Sequence, residues 1–291
     1  MRCACVDIGS NTTRLLVADH AGGALAPVLE LRAFTRLGRA CRAGAPVPPA
    51  TVDALAAVVA EQAQTGREAG AQALRVVATA ALRRAANGRE VCAALGAAAG
   101  APVELLEPEE EARLAFAGAT AALRDAAADE PLAVADVGGG SSELIVGTRG
   151  GGVSWSRSLA LGSGDLAEEH LRSDPPRPAE LSAIGAAVEA ALDGVAVPPV
   201  ARAVAVGGSA TSLRRLVGPR LDRDGLARAV ATLSAAPAAV VAGQHGLDPE
   251  RVRLLPAGIL VLAAVAARVG PLAVAEGGLR EGLLLELAAG G

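Results

Sequence analysis

The succession of apolar and polar residues along the chain contains one arrangement twice. Residues 133–147 form an apolar run that ends in an aspartate, followed by three glycines, two serines, a glutamate and a second apolar run. Residues 3–18 repeat that order, with D-x-G, small polar residues, a charged residue and a second apolar run. Each stretch predicts a strand, a tight turn and a second strand. The two aspartates, Asp7 and Asp136, are 129 residues apart (136 minus 7), so the chain is predicted to contain two similar units.

The rest of the chain alternates strand-like and helix-like segments, which is typical of an α/β fold. Pro108 stands at a predicted first helical position, where its missing N–H costs nothing. The apolar residues Leu254–Ala267 predict a buried helix beyond Pro256 that is too short to span a bilayer. Gly207–Ser212 forms a third glycine-rich junction, where a helix N-terminus could face an anion. Further strands are predicted at 25–34, 74–78, 102–106, 153–161, 201–206 and 272–275. Further helices are predicted from Thr51 to about 69, at 79–86, at 89–99, at 164–171, from the loop at 174–178 to near Leu192, and from 280 onward.

Both predicted turns have the chemistry of an anion site. Glycines allow positive φ angles and leave no Cβ in front of the backbone N–H groups. Successive N–H donors form a concavity that suits phosphate. Because the carboxylates of Asp136 and Glu143 flank the second turn, a cation between them and a phosphate is implied, and Mg²⁺ is the expected ion. A glycine-rich turn without a ligand is the alternative for either stretch alone, but the repetition favours a paired anion site.

The composition narrows the chemistry further. All 27 basic residues are arginines, so a Walker A P-loop and a lysine Schiff base are both excluded. Any phosphate clamp must use arginine, whose planar guanidinium suits bidentate phosphate contacts. The net charge of −4 gives no sign of a polyanion-binding face, so we expect no nucleic-acid partner.

The cysteines and the N-terminus indicate a reducing compartment. Cys3, Cys5, Cys41 and Cys92 show no C-x-x-C spacing and no histidine at metal-ligand spacing, so reduced, buried thiols are predicted. Asp7 interrupts the N-terminal apolar stretch before a signal sequence could form. We therefore expect a cytoplasmic protein with no membrane partner.

The acidic segment Glu107–Arg113 has two interpretations. Glutamates in the first turn of a helix interact favourably with the helix dipole, and Glu109 can pair with Arg113 four residues later. Alternatively, one glutamate is a general base that takes a proton from a water attacking a phosphoryl group. The residues alone leave both interpretations open.

Together the motifs resemble the exopolyphosphatase/guanosine pentaphosphate phosphohydrolase (Ppx/GppA) family over most of the chain. The resemblance rests on six segments, Val6–Asn11, Arg36–Gly38, Ala78–Arg83 with Asn87, Glu110–Arg113, Asp136–Glu143 and Gly278–Gly282. It implies an α/β fold of two actin-like (ribonuclease H-like) domains with an interdomain cleft, as in actin, sugar kinases and heat-shock ATPases. The expected domains are 1–122 and 123–279, with a final helix at 280–291 that is free to pack back on the first. The resemblance is to the short form of the family, for which we expect no C-terminal helical domains like those of the longer members.

The resemblance also implies roles for individual residues. Glu111 matches the proposed catalytic base. Asp136 and Glu143 match acidic residues that hold the metal and help to order the water, and Asp7 joins them as a metal ligand. The implied phosphate-binding residues are Ser10, Asn11, Arg83, Gly138, Gly139, Gly140, Ser141, Arg251 and Arg280. Asp165 departs from the pattern, because relatives commonly carry an arginine at that position.

The implied activity is that of an exopolyphosphatase, which removes the terminal phosphate of inorganic polyphosphate by Mg²⁺-assisted attack of water. A guanosine pentaphosphate 5′-phosphohydrolase needs the same loop and base and remains the alternative. A non-catalytic sensor of polyphosphate or alarmone is an alternative of another class. Glu111 and Asp136 argue against the sensor, because a pure binder gains nothing from a carboxylate aimed at its anion. The expected partner is one of these two phosphate compounds, and a homodimer is compatible with the sequence.

Overall fold

The computed structural model describes residues 1–41 and 44–290 and divides the chain into two compact units. Unit 1 comprises Met1–Ala121 and Gly277–Gly291, and unit 2 comprises Ala122–Glu276. The last segment of the chain therefore belongs to the same unit as the first.

Unit 1 contains a five-stranded mixed sheet. Its strands are β1 (Arg2–Ile8), β2 (Thr12–Ala21), β3 (Ala24–Phe34), β4 (Ala73–Ala78) and β5 (Val103–Leu105). They lie in the order β3-β2-β1-β4-β5, and β1 pairs antiparallel with β2 and parallel with β4. β1 is fully buried from Cys3 to Val6, as expected for a central strand covered on both faces. Cys3, Cys5, Cys41 and Cys92 are buried and form no disulfide bond with one another, which confirms the prediction of reduced, buried thiols.

Unit 2 contains a six-stranded mixed sheet. Its strands are β6 (Leu132–Val137), β7 (Ser142–Thr148), β8 (Gly152–Leu159), β9 (Arg202–Val206), β10 (Arg220–Leu221) and β11 (Leu272–Val274). They lie in the order β10-β11-β9-β6-β7-β8, so β6 occupies the position that β1 has in unit 1.

Apart from the edge strand β10, the two sheets share their topology, and both contain the same central turn, as the repeated sequence pattern predicts. In each sheet the first strand pairs antiparallel with the second and parallel with the fourth. The turn of unit 1 is closed by a hydrogen bond from Gly9 N to Thr12 O of 3.0 Å, and that of unit 2 by one from Gly138 N to Ser141 O, also of 3.0 Å. The repetition therefore extends to the backbone hydrogen bonds of the turns.

Helices cover both sheets. They are α1 (Leu37–Ala40), α2 (Pro49–Glu68), α3 (Ala80–Arg84), α4 (Gly88–Ala99), α5 (Pro108–Ala121), α6 (Ser163–His170), α7 (Pro178–Ala191), α8 (Gly207–Val217), α9 (Arg223–Ala235), α10 (Ala238–His245), α11 (Pro249–Val269) and α12 (Leu279–Ala289). α5 begins at Pro108, as predicted, and α2 begins at Pro49 because proline fits the first helical position. Two helices of unit 2, α9 and α10, were not predicted.

The prediction for α11 was wrong in its start and its length. The helix begins at Pro249 and continues through Pro256 for 21 residues, although an internal proline removes a hydrogen bond and clashes with the preceding turn. Packing offsets this cost, because Leu255, Ile259 and Leu262 are fully buried in the unit 2 core. Within the described chain, α11 is the one helix long and apolar enough to cross a membrane, and more than half of its apolar stretch is buried inside the protein.

Candidate active site

The glycine-rich turn of unit 2 is held by the N-terminus of α6. Ser163 N donates to Gly138 O at 2.9 Å, and Gly164 N and Asp165 N donate to Gly139 O at 2.9 and 3.0 Å. Carbonyl oxygens would repel a phosphate, and these bonds tie two of them to backbone donors. The turn at Gly138–Ser141 is thereby fixed in one conformation, which a preformed anion cradle requires.

Gly162 supports this turn because it has no side chain. A Cβ at Gly162 would overlap the carbonyl carbon of Gly139 and the amide nitrogen of Gly140. The overlapping atoms belong to backbone, so neither can move without displacing the turn. Sequence analysis singled out the glycines of the turn itself but not this supporting glycine, which precedes α6 by one residue.

We expect Gly162→Ala to weaken phosphate binding, because the added methyl group forces Gly139 and Gly140 out of position. The predicted result is a raised KM for a phosphate-containing substrate, by about tenfold or more for a displacement approaching 1 Å. Gly185→Ala in α7 of the same unit is the matched control, because a Cβ there meets no atom within 4 Å. Equal KM values for the two variants would contradict a supporting role for Gly162.

Two carboxylates of unit 2 lie directly opposite each other on neighbouring strands. Asp136 on β6 pairs in register with Glu143 on β7, which places their Cβ atoms roughly 4.5–5.5 Å apart. Glu143 is 4% exposed, and its Oε1 accepts a hydrogen bond of 3.0 Å from Ser158 Oγ. Two adjacent carboxylates in such a place offer the oxygen ligands that hard divalent cations prefer.

The residues fit a magnesium ion that is shared with a substrate. Within residues 1–41 and 44–290, no three His, Cys, Asp or Glu side chains cluster closely enough to form a complete metal site. Mg²⁺ is commonly bound through one or two carboxylates, with water and substrate phosphate completing its octahedron. The pair Asp136 and Glu143 meets that requirement, and Asp7 in unit 1 has a buried Oδ1 without a hydrogen-bond partner.

The junction of β9 and α8 lies beside Asp136 and Arg251 of unit 2. A Cβ at Gly207 would lie 2.6 Å from Asp136 Oδ1, and a Cβ at Gly208 would lie 2.8 Å from Arg251 Cζ. Both distances are shorter than real Cβ contacts, so only glycine allows Asp136 and Arg251 to approach this junction. Arg251 on α11 is 9% exposed, which places a buried cation beside the start of α8.

In unit 1, the structure pairs the predicted base with a predicted phosphate ligand. Arg83 Nη1 donates to Glu111 Oε2 at 2.6 Å and to Leu106 O at 2.6 Å. Glu111 lies in the first turn of α5 and is 8% exposed. Burial raises the pKa of Glu111 and the nearby charge of Asp7 adds to this, whereas Arg83 opposes the rise. A carboxylate with a raised pKa is a stronger proton acceptor than an exposed one.

A second cluster of charged side chains in unit 1 surrounds Asp7. Burial raises the pKa of Asp7, and Arg280 and Arg14 oppose that rise. Arg280 Nη1 donates to Glu30 Oε2 at 3.3 Å, and Arg14 Nη2 lies 3.7 Å from the same oxygen. Burial lowers the pKa of Arg14, as does its neighbour Arg280. Arg280 Nη2 also lies 3.8 Å from Glu281 Oε1, so the two guanidinium groups are surrounded by the carboxylates of Asp7, Glu30 and Glu281.

The turn of unit 1 is braced by the segment that follows β3. Gly38 N donates to Ser10 O at 2.7 Å, and Arg36 N donates to Asn11 O at 3.0 Å. Arg36 adopts a left-handed conformation at φ 48°, which lets the chain turn back onto Ser10 and Asn11. The Arg36–Gly38 motif therefore positions the turn through its backbone.

Arg14 is the site residue that sequence analysis missed. Its Nε is buried without a hydrogen-bond partner, as is Asn11 Nδ2. Arg14 faces Asp7 in register, as Glu143 faces Asp136, and the spacing is again 129 residues (143 minus 14). The repeat itself was the available signal, because it aligns a cation in unit 1 with an anion in unit 2.

Comparison with known proteins identifies the family. The sequence pattern of the Ppx/GppA phosphatase family matches residues 16–289. The chain belongs to this family. It is 31% identical to Exopolyphosphatase 1 of Mycobacterium tuberculosis over 98% of this chain and 88% of that protein. It is 35% identical to an uncharacterised protein of Streptomyces coelicolor over 98% of this chain and 90% of that one.

A solved Ppx/GppA structure shares the fold. The family member from Aquifex aeolicus superposes with a TM-score of 0.82 at 27% identity, covering 100% of this chain and 98% of that one. The expected fold of two actin-like α/β domains is thereby confirmed. As a member of the Ppx/GppA family, the chain is a hydrolase that acts on phosphoric anhydrides.

Proposed function

We propose that this Ppx/GppA protein is an exopolyphosphatase that hydrolyses the terminal phosphate of inorganic polyphosphate. The observation that carries the proposal is the asymmetric environment of Glu111. One carboxylate oxygen is bound by Arg83, and no hydrogen bond to the other occurs within the described residues. A general base needs this combination of a fixed position and an available oxygen.

In the proposed reaction, Glu111 accepts a proton from the attacking water. Phosphoryl transfer requires mainly an oriented nucleophile and neutralisation of phosphate charge. The turn at Gly138–Ser141 and the buried Arg251 would bind phosphate in unit 2. In unit 1, the residues proposed to contact phosphate are Ser10, Asn11, Arg14 and Arg280. Arg14 Nε and Asn11 Nδ2 are buried donors without a hydrogen-bond partner, which supports this role. A Mg²⁺ ion held by Asp136 and Glu143 of unit 2 would supply further charge neutralisation on the phosphate oxygens.

The proposal is tested by phosphate release from three substrates. Long-chain polyphosphate, tripolyphosphate and guanosine pentaphosphate are each incubated with the wild-type protein in Mg²⁺ or in EDTA. We expect Mg²⁺-dependent release from long-chain polyphosphate and its loss in EDTA. Release from guanosine pentaphosphate alone would replace the proposal with the 5′-phosphohydrolase activity. Tight binding without release from any of the three would overturn it in favour of a sensor.

A further inference from the structure

We propose that Arg83 is a positioning residue for Glu111, which it holds by one carboxylate oxygen while leaving the other available to water. The inference rests on the proposed function of Glu111 as the base. Arg83 is already expected to contact phosphate. The positioning of Glu111 would be a second role of the same side chain.

The geometry assigns one nitrogen of Arg83 to this task. Nη1 alone donates both to Leu106 O and to Glu111 Oε2, each at 2.6 Å. The side chains of Arg83 and Glu111 are 13% and 11% exposed, so the ion pair is shielded from water. A charge-assisted hydrogen bond in such surroundings is stronger and better oriented than one on a surface.

The second bond fixes Arg83 relative to the sheet. Leu106, which precedes α5 by two residues, donates from its N–H to Ala78 O at the end of β4 at 2.9 Å. Arg83 therefore links α3 to the segment between β5 and α5. Its position is determined by the backbone of the sheet, and the position of Glu111 Oε2 follows from it.

The two oxygens of Glu111 are therefore unequal. Oε2 is held by Arg83, and the described residues offer Oε1 no hydrogen-bond donor. Free rotation about the carboxyl bond would spread the accepting lone pairs over many directions. With Oε2 fixed, the lone pairs of Oε1 keep one direction, and an aligned acceptor is what proton transfer from water requires.

Removal of Arg83 changes the charge balance at Glu111 in a known direction. The charged groups that face Glu111 are Arg83 on α3, which lowers its pKa, and Asp7 on β1, which raises it. Without Arg83, burial and Asp7 act unopposed, so the pKa of Glu111 rises. Because the base must be deprotonated, the acidic limb of kcat against pH then moves to higher pH.

The first experiment compares pH profiles of phosphate release from long-chain polyphosphate. We expect Arg83→Met to lower kcat by about 10- to 100-fold at neutral pH and to displace the acidic limb upward. Arg83→Lys keeps a cation and is expected to return the limb toward the wild-type position. Arg113→Met removes an exposed arginine from α5 and serves as the control, with an unchanged profile expected. A fall in kcat without displacement of the limb would overturn the proposal.

A double-mutant cycle tests whether Arg83 acts through Glu111. In a Glu111→Gln background, Arg83→Met is expected to leave kcat almost unchanged, because the base is already absent. An effect on KM that persists in that background would report the separate phosphate contact. Equal losses of kcat in both backgrounds would overturn the positioning role.

A measurement that needs no activity separates this inference from the proposed function. In protein labelled with ¹³C at glutamate Cδ, comparison with Glu111→Gln identifies the Glu111 signal, which is then titrated. We expect a higher pKa for Glu111 in Arg83→Met than in wild type, and near wild type in Arg83→Lys. An unchanged pKa in Arg83→Met would overturn the inference even if the enzyme is active. If wild type releases no phosphate, the proposed function fails and this titration still decides the role of Arg83.

Discussion

Glu111→Gln is expected to reduce phosphate release from long-chain polyphosphate by about 10²- to 10⁴-fold, which is the usual contribution of a general base. Glutamine has the size of glutamate, and its amide oxygen can accept the hydrogen bond that Arg83 Nη1 gives to Oε2. The variant should therefore fold normally and bind substrate, and kcat should fall while KM changes little. Initial rates of phosphate release at saturating substrate measure the effect.

The neighbouring residue provides a matched control. Glu110→Gln makes the same chemical change one position earlier, where the side chain is 36% exposed and accepts a 2.6 Å hydrogen bond from Arg113. Surface ion pairs of this kind contribute at most about 1 kcal/mol, so activity close to wild type is expected. Substantial phosphate release by Glu111→Gln, or an equal loss in both variants, would show that the base lies elsewhere.

Gly282→Ala is expected to destabilise unit 1 by about 3 kcal/mol, because overpacking against backbone cannot be relieved by side-chain movement. A Cβ at Gly282 in α12 would overlap Leu114 O in α5, and a Cβ at Gly118 would overlap Gly278 O. The two helices thus cross at backbone contact. Since α5 carries Glu111 and α12 carries Arg280, separation of the helices is also expected to lower activity.

Thermal and urea unfolding measure this loss, with a second glycine as reference. Gly185→Ala lies in α7, where a Cβ meets no atom within 4 Å. Alanine is the better helix former, so a gain of about 0.5–1 kcal/mol is expected there. If Gly282→Ala were as stable as Gly185→Ala, the close crossing of α5 and α12 would be wrong.

Sequence alone predicted the features that depend on neighbours along the chain. The D-x-G turns after Asp7 and Asp136 follow from local apolar runs and glycines, and the start of α5 follows from Pro108. The strands at 25–34 and 74–78 are found as β3 and β4. In each case the signal lies within a few residues of the structure that it specifies.

The features that sequence did not predict depend on contacts between distant segments. Pro256 is a local signal for a helix boundary, but burial of α11 in the unit 2 core overrides it. The bond between Arg83 and Glu111 joins residues 28 positions apart, and no periodicity marks it. Gly162 is important only because the turn at Gly139 packs against it. Such contacts become visible only once the sheets have placed these segments side by side.

The close crossing of α5 and α12 also bears on how the gene is organised. The chain leaves unit 1 after Ala121 and returns at Gly277, and Gly118 lies against Gly277 and Gly278. The coding sequence of unit 2 therefore interrupts that of unit 1. The interruption falls at a point where the two flanking segments of unit 1 lie next to each other in the structure. Excision of codons 122–276 with a short linker would leave a continuous reading frame for unit 1, and the excised codons would encode unit 2 as one uninterrupted polypeptide.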